Sequence, residues 1–171
     1  MSIDIVVATD LNGGIGLEGE LLYSIKKDMQ RFREITDSNF CLLARKTWES
    51  LKKPLKNRVN VILTRDESYK INPHLHNEYE IMIEHDVHKI INQYNTGTQT
   101  KNLVCCGGAE LYREMLPYTD KVYLTKIHDD SKISDSTFPL GYLEQHFKII
   151  HKEEHEENGL KFEFIDYERK M

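Results

Sequence analysis

Apolar residues recur along this chain in short runs that alternate with segments of helical spacing. Continuous apolar runs of this length predict buried strands, which we expect at residues 3–9, 40–43, 58–64 and 103–106. Helices are expected at residues 24–35, 47–51, 86–94 and 109–116, where a capping residue or a following proline marks an end. Two further strands are expected at residues 81–83 and 121–128.

The end of the chain has the pattern of a β-hairpin. Asn158 and Gly159 lie between strand-like segments at residues 146–152 and 161–167, and Asn-Gly favours two-residue hairpin turns. Alternating strands and helices followed by this hairpin predict an α/β fold, with a mixed, mostly parallel central sheet flanked by helices. The hairpin would be the antiparallel C-terminal part of that sheet. A chain of 171 residues is expected to fold as one domain over 1–171.

The overall charge and the cysteines exclude several classes of function. The formal net charge is −5, so the chain lacks the broad basic field that binds nucleic acid or anionic membranes. No apolar run approaches the ~20 residues that cross a bilayer, and the N-terminus lacks the pattern of a secretory signal. Cys41, Cys105 and Cys106 match no disulfide or zinc pattern and are expected to be reduced thiols. We therefore expect a cytoplasmic protein without nucleic-acid, membrane or metal partners.

Asp28 is an informative polar residue because it interrupts an apolar helix face. In the first predicted helix, which Ser24 is expected to cap, Ile25, Met29 and Phe32 share one face. Asp28 lies three residues after Ile25 and four before Phe32, inside that face. Burying a carboxylate is costly unless a partner hydrogen-bonds to it. Two interpretations stay open: Asp28 lies at the margin of the face and reaches water or an arginine, or it binds the N–H groups of a ligand with a pKa raised by desolvation.

A glycine-rich loop connects the first strand to this helix. Gly14, Gly16 and Gly19 match the G-x-G-x-x-G spacing of dinucleotide-binding loops. In those loops the last glycine enters the helix, whereas here the expected cap Ser24 lies five residues beyond Gly19. The chain is also short for a Rossmann domain joined to a substrate domain. We therefore interpret the loop as a mobile flap beside a site rather than as a Rossmann fingerprint.

Three predicted strands end in residues that suit phosphate binding. Residues 45–47, Arg-Lys-Thr, place two cations and a hydroxyl at the start of a helix, where the helix dipole attracts anions. Residues 107–108, Gly-Gly, let the backbone approach a ligand closely at another strand-to-helix turn. Residues 64–65, Thr-Arg, add a hydroxyl and a cation at a third strand end. Because the carboxyl ends of parallel strands meet at one edge, these turns together predict a nucleotide cleft.

Taken in order, these segments resemble the dihydrofolate reductase family along nearly the whole chain. Asp28 followed by Phe32 is similar to the family's substrate-binding helix, and residues 44–50, Ala-Arg-Lys-Thr-Trp-Glu-Ser, are similar to its G-R-K-T-W-E-S. Pro54-Leu55 and Arg58 follow in register. Further similar segments lie, in order, at residues 12–16, 61–65, 106–112, 123–125 and 135–139.

The resemblance implies an NADPH-dependent reduction of 7,8-dihydrofolate to 5,6,7,8-tetrahydrofolate. The implied catalytic residues are Asp28, Tyr23 and Thr125, with Asp28 bound to the pterin, promoting protonation of N5, and supported through water by Thr125. Arg58 would pair with the glutamate α-carboxylate of the substrate. The other implied substrate contacts are Val7, Ala8, Met29, Phe32, Leu51, Leu55 and Cys106. The implied NADPH contacts are Ala8, Ile15, Gly16, Leu21, Arg45, Lys46, Thr47, Leu63, Thr64, Arg65, Cys106, Gly107, Gly108, Ala109, Glu110, Leu111 and Tyr112.

Four departures from the family pattern stand out. Leu22-Tyr23 replaces a Pro-Trp pair in the flap, which frees the flap backbone. Lys26 stands where a proline often begins the helix. Ala44 replaces a glycine near the cofactor, and Glu110 stands where some members have a cation near the adenosine phosphate. None of these changes removes a group to which the resemblance assigns a catalytic role.

Two other functions fit parts of this pattern. A pyrimidinone reductase of riboflavin synthesis shares the fold and NADPH, but it should lack the Asp28-to-Phe32 spacing and the Arg58 anchor. A folate- or nucleotide-binding module that has lost catalysis would bind tightly without turnover. We expect a monomeric reductase that binds dihydrofolate and antifolate inhibitors.

Overall fold

The computed structural model describes residues 2–95 and 99–171, with the backbone alone at Asn95. Within them the strands are β1 (Ile3–Thr9), β2 (Gly14–Leu17), β3 (Glu20–Leu21), β4 (Phe40–Ala44), β5 (Val59–Leu63), β6 (Glu80–Glu84), β7 (Leu103–Cys105), β8 (Lys121–Ile127), β9 (Ser136–Thr137), β10 (Phe147–Glu157) and β11 (Leu160–Arg169). The helices are α1 (Lys26–Thr36), α2 (Arg45–Ser50), α3 (Val87–Asn95), α4 (Ala109–Met115) and α5 (Leu140–His146). Short 3-10 turns lie at Pro73–Asn77 and Leu116–Tyr118.

An eight-stranded sheet carries the fold, in the order β10-β11-β8-β1-β7-β4-β5-β6. The six strands from β8 to β6 are mutually parallel, whereas β11 is antiparallel to β8 and β10 is antiparallel to β11. The predicted mixed, mostly parallel sheet with an antiparallel C-terminal hairpin is therefore confirmed. Since parallel strands present their carboxyl ends at one edge, the turns after β1, β4, β5, β7 and β8 lie side by side.

Both faces of the central strands are buried, as continuous apolar runs predict. In β4, Leu42 packs in the main core with residues of β1, β7 and β8. The next residue, Leu43, points to the opposite face and packs with Trp48 and Ile62. Each fully buried side chain of this kind contributes roughly 1.5–3 kcal/mol from removal of apolar surface from water.

The C-terminal hairpin turns at the predicted dipeptide. Asn158 and Gly159 both have positive φ, 52° and 80°, as a type I′ turn requires. The strands on either side are longer than predicted and pair along their length, with a register shift between Ile149 and His151. A third apolar cluster, formed by Ile25, Ile127, Phe162 and Phe164, joins this hairpin to the start of α1.

Several boundaries differ from prediction. The glycine-rich flap is not an open loop: β2 and β3 form a short hairpin that also pairs with β9. Gly16 is sterically required there, because a Cβ would lie 2.5 Å from the carbonyl oxygen of Glu20. The predicted cap Ser24 is wrong, since Ile25 is the N-cap residue of α1. Helix α2 begins at Arg45, earlier than expected, and α5 was missed because Pro139 and Gly141 interrupt any helical pattern.

None of the helices within the described residues is long and apolar enough to cross a membrane.

Asp4 is a buried carboxyl at the amino end of β1, away from the carboxyl ends of the strands. Ser2 Oγ donates to its Oδ2 at 3.0 Å, while its Oδ1 is buried without a partner among the described residues. Burial is the main cause that raises the pKa of Asp4 from 3.8 to about 6. The folded state therefore binds this proton more tightly than the unfolded state, and stability is lost as the pH rises through about 6.

We expect Asp4→Asn to raise the free energy of unfolding by about 2–3 kcal/mol at about pH 8 and to change it little at about pH 4. The reason is that asparagine fills the same space without the buried charge that forms at high pH. Urea denaturation of both proteins across this pH range measures the difference. Parallel pH profiles for the two proteins would contradict the expectation.

Candidate active site at the carboxyl ends of the parallel strands

The Asp28 side chain contacts the sheet directly. The hydroxyl of Thr125, on β8, donates a hydrogen bond to Asp28 Oδ1 at 2.6 Å. This direct contact corrects the water-mediated one implied by the resemblance. Burial raises the pKa of Asp28, and the hydrogen bond from Thr125 and the charge of Arg31 oppose that rise. Thr125 thus provides a hydrogen-bond partner for this desolvated carboxyl, and the binding of a ligand by Asp28 stays a prediction.

The predicted apolar face around Asp28 is not one buried stripe. Ile25 is buried, but its backbone is extended and lies outside the helix, so helical spacing does not apply to it. Met29 is 58% exposed and Phe32 is half-buried. The side of α1 that carries Met29 therefore does not pack into the core.

The other apolar residues assigned to the substrate come from two places in the fold. Ala8, at the end of β1, pairs in register with Thr125 of β8 and follows the buried Val7. Leu51, Leu55 and Cys106 pack together against the cluster of Leu43, Trp48 and Ile62. Together with that cluster they form one apolar wall on this face of the sheet.

Arg58 connects this wall to the end of α1. Its Nη1 donates to Thr36 Oγ1 at 3.1 Å, and its Nε donates to the carbonyl oxygen of Lys56 at 2.8 Å. Thr36 is the last residue of α1, so the guanidinium lies at the opposite end of the helix from its N-cap. Asp28 and Arg58 are thus two polar groups of opposite charge held at separate points along α1.

The glycine pair lies at the turn from β7 to α4. The Gly107–Gly108 peptide is cis, and Gly107 has φ of +110°. A Cβ at Gly107 would lie 3.1 Å from Tyr112 Oη, whose hydroxyl donates to the carbonyl oxygen of Val6 at 2.8 Å. Only glycine suits this backbone conformation and this close approach. The amide of Ala44 donates to the Gly107 carbonyl oxygen at 2.9 Å, which ties the turn after β4 to the turn after β7.

Cationic side chains surround these turns. Arg45 is in the first turn of α2, 3.9 Å from Glu49, and Lys46 beside it is exposed. Arg65 follows β5 with 89% of its side chain exposed, and its guanidinium lies 3.9 Å from Glu114. Thr47 and Gly108 lie close together, since a Cβ on Gly108 would be 3.6 Å from Thr47 Oγ1. Cations, a hydroxyl and a glycine backbone without side chains make a donor set that suits a phosphorylated ligand.

The remaining residues assigned to NADPH differ in accessibility. Ile15 packs against the main core, and Leu21 is exposed in the flap hairpin. Leu63 is half-buried at the end of β5, and Thr64 is buried with its Oγ1 accepting from the amide of Asp66. Among the first residues of α4, Ala109 is half-buried, Glu110 is exposed and Leu111 is buried in the main core. The side chain of Leu111 therefore serves packing.

The three cysteines are free thiols in different surroundings. Cys41 and Cys105 are buried free thiols and Cys106 is a half-buried one. Across residues 2–95 and 99–171, no group of three or more His, Cys, Asp or Glu side chains could hold a metal ion.

The end of the flap is held by residues 129–132, which we call the latch loop. The Tyr23 hydroxyl donates to Asp129, which also accepts from Ser131 Oγ at 2.7 Å. Lys132 Nζ donates to the Leu22 carbonyl oxygen at 2.6 Å and lies 4.3 Å from the centroid of the Tyr23 ring. Burial, followed by the Asp129 carboxylate, raises the pKa of Tyr23. Tyr23 holds the flap here, and a catalytic role for it stays a prediction.

Comparison with known proteins identifies the family. A sequence model described as dihydrofolate reductase matches residues 2–169 of the chain. The chain belongs to the dihydrofolate reductase family. The dihydrofolate reductase of Bacillus subtilis (strain 168) is 30% identical over 171 residues, covering 98% of this chain and 95% of that protein. The enzyme of Lactococcus lactis subsp. lactis (strain IL1403) is 31% identical over 166 residues, covering 95% and 94%.

A solved structure of the family has the same fold. Dihydrofolate reductase from Enterococcus faecalis, complexed with NADP(H) and RAB-propyl, superposes with a TM-score of 0.83. It covers 98% of this chain and 96% of its own, at 24% identity. This similarity supports the fold, and the family match above supports membership.

The latch loop contacts the two flap residues that depart from the family pattern. These residues are Leu22 and Tyr23, which stand in place of Pro-Trp. Asp129 accepts a hydrogen bond from the Tyr23 hydroxyl, and Lys132 donates one to the Leu22 carbonyl oxygen. Asp129, Ser131 and Lys132 were not predicted to matter, because a short charged segment after a strand is typical of a solvated loop. Only the contact with a segment more than 100 positions away reveals them.

We expect Tyr23→Phe and Lys132→Met each to lower kcat/KM for dihydrofolate about five-fold, because each removes a hydrogen bond that holds the flap end. Steady-state kinetics at saturating NADPH measures this effect. Tyr118→Phe removes an exposed hydroxyl far from the flap and is the matched control. If both flap variants behaved like that control, the latch loop would have no part in closure.

Proposed function

We propose that this protein reduces 7,8-dihydrofolate to 5,6,7,8-tetrahydrofolate with NADPH. The observation that carries the proposal is the half-buried Asp28 carboxyl, hydrogen-bonded to Thr125 beside the strand ends. Family membership supports the same reaction. The product differs from the substrate by a hydride at C6 and a proton at N5. The protein must therefore align the hydride donor with C6 and promote protonation of N5.

The residues around the strand ends fit NADPH. The cations Arg45, Lys46 and Arg65 suit its phosphates, and a 2′-phosphate would give Arg65 a partner that NADH lacks. The backbone at Gly107 and Gly108 carries no side chain, so a ring of the cofactor would approach it closely. When bound, the cofactor supplies the hydride.

The remaining chemistry belongs to the chain itself. Asp28 would bind the 2-amino group and ring N–H of the pterin, and its raised pKa suits a carboxyl that promotes a proton at N5 near neutral pH. Thr125 orients the Asp28 carboxyl. The apolar wall at Leu51 and Leu55 would pack on the aminobenzoate, and Arg58 would pair with the α-carboxylate. The flap hairpin would exclude water from the reacting atoms.

The deciding experiment is an assay of the purified protein for loss of NADPH absorbance with dihydrofolate, beside an NADH control. Turnover that prefers NADPH and stops with an antifolate would support the proposal. Reduction of a riboflavin-pathway pyrimidinone instead would identify the related reductase. Binding of dihydrofolate without turnover would favour a binding module.

Further properties follow as part of the proposal. We infer binding of antifolate inhibitors at the Asp28 site, because a protonated diaminopyrimidine ring would pair with its carboxylate. Three free cysteines suit the reducing cytoplasm, and we infer that location. One sheet takes strands from Ile3 through Arg169, which supports one domain over 1–171. We expect the protein to act as a monomer, since this site draws all of its residues from one chain.

A further inference from the structure

Helix α1 begins without a cap of its own. Its N-cap residue is Ile25, whose side chain has no polar atom, and no side-chain cap within the segment satisfies the first amides. The first N–H groups of a helix have no acceptor inside the helix and need one from elsewhere. Because α1 carries Asp28 in its first turn, the partner of these amides affects where that carboxyl lies.

A glutamate from the far end of the chain fills this role. Glu157 Oε2 accepts from the amide of Lys26 at 2.8 Å, and Glu157 Oε1 accepts from the amide of Lys27 at 3.2 Å. Glu157 is the last residue of β10, directly before the Asn158-Gly159 turn. Its carboxylate also opposes the positive end of the helix dipole, which favours the contact further.

The departure at Lys26 makes the two-amide contact possible. A proline at this position, which the family often has, carries no N–H and could not donate to Glu157. Lysine restores that donor, and Glu157 accepts from it. Lys26, which stands in place of proline, and the distant Glu157 carboxylate therefore depend on each other for this hydrogen bond.

The hairpin that carries Glu157 also positions the partner of Asp28. Thr125 pairs in register with Phe164 of β11, and Phe164 pairs with Glu153 of β10. Thr125 on β8 and Glu157 on β10 thus belong to two strands of one sheet that only β11 separates. The Glu157 contact fixes the start of α1 against the same sheet that presents Thr125.

A second contact holds α1 on the other side of Asp28. Arg31, one turn later, forms an ion pair with Asp166 of β11. The Arg31 guanidinium also lies 4.5 Å from the centroid of the Phe164 ring. Asp28 is therefore bracketed by two attachments of α1 to the C-terminal hairpin.

We propose that Glu157 is a positioning residue for the reductase reaction: it holds the first turn of α1 so that Asp28 meets Thr125 and the substrate. This inference rests on the proposed function, since it concerns the same site. In this proposal Glu157 acts through its bonds to the amides of Lys26 and Lys27 and not by contact with substrate or cofactor. Losing its carboxylate lets the first turn of α1 fray, which weakens pterin binding and turnover while leaving the phosphate-binding turns unchanged.

Kinetics of Glu157→Ala, Glu157→Gln and Glu156→Ala in the full chain test the proposal. We expect Glu157→Ala to lower kcat/KM for dihydrofolate about ten-fold with the KM for NADPH unchanged. Glu157→Gln should recover part of the loss, because its amide oxygen can still accept one N–H. Glu156 is the exposed neighbour on the opposite face of β10 and is the matched control. A lower melting temperature with unchanged kinetics would show a purely structural role and overturn the proposal.

A double-mutant cycle adds a specific readout. Lys26→Pro removes one of the two donors, so Glu157→Ala should cost less in that background than in the wild type. Equal losses in both backgrounds would overturn the pairing of Glu157 with Lys26.

Two measurements that need no turnover separate this inference from the proposed function. In Glu157→Ala we expect the amides of Lys26 and Lys27 to exchange about ten-fold faster with solvent, and folate to bind about ten-fold more weakly. If the wild type failed to reduce dihydrofolate, the proposed function would be wrong. The exchange rates and the folate affinity would still test the contact between Glu157 and the helix. Unchanged exchange and unchanged folate affinity would overturn it.

Discussion

Replacing Asp28 with asparagine is expected to leave the protein folded and to lower kcat/KM for dihydrofolate by roughly 10²–10³. Asparagine keeps the shape and can still accept the hydrogen bond that Thr125 donates to Asp28 Oδ1. It cannot hold a negative charge against the pterin, so it gives no help to protonation at N5. The loss therefore follows from chemistry rather than from unfolding.

The loss in Asp28→Asn should grow as the pH rises. At low pH, solvent protonates the substrate without help and the variant recovers part of its rate. At high pH, protonation depends on the Asp28 carboxyl, which the variant lacks. Stability should move in the other direction: the pKa of Asp28 is raised in the folded state, so its burial costs stability above that pKa. The asparagine variant should thus be at least as stable as the wild type at about pH 8.

Kinetics from about pH 6 to about pH 8, together with urea denaturation, tests both statements. Glu34→Gln makes the same carboxyl-to-amide change on an exposed position of α1 and should leave turnover unchanged. Wild-type turnover in Asp28→Asn at the upper end of this range would remove Asp28 from the mechanism.

Replacing Arg65 with alanine is expected to raise the KM for NADPH about ten- to hundred-fold and to change the KM for NADH less than about two-fold. A charge-assisted hydrogen bond to a phosphate is stronger than a neutral one, and NADH has no 2′-phosphate to receive it. Arg65 is 89% exposed and only 3.9 Å from Glu114, so its removal should cost the fold little.

The measurement is KM for both cofactors at saturating dihydrofolate. Lys148→Ala removes one exposed cation from β10 and controls for the change in net charge. Equal losses with NADPH and NADH in Arg65→Ala would mean that Arg65 does not bind the 2′-phosphate.

Local sequence was enough to predict the buried strands and the tight turns of this fold. In both cases the structure depends on the residues of the segment itself. The run of β4 has no charged or strongly polar position to expose, so its sequence indicates a central strand. The turn at Asn158 and Gly159 needs positive φ at both residues, and that dipeptide adopts it readily. The glycine pair at residues 107–108 lies at a strand-to-helix turn, as its position after an apolar run predicted.

The helix boundaries around the site could not be obtained in this way. Ser24 has the chemistry of a cap, but the chain stays extended through Ile25 and the first amides of α1 take Glu157 instead. A helix start is decided by whichever acceptor reaches the free amides, and that acceptor is 131 positions away from Lys26. No local pattern contains that information.

Residue types, their order along the chain and the alternation of strands and helices were thus enough to indicate a reductase of this family and to single out Asp28 and the cationic turns. The sheet order decided which of them meet. The direct contact of Thr125 with Asp28, the attachment of Arg58 to Thr36 and the latch loop at Leu22-Tyr23 all join segments distant in sequence. A hydrogen bond between such segments depends on distances of a few tenths of an ångström, and only the packed tertiary structure sets them.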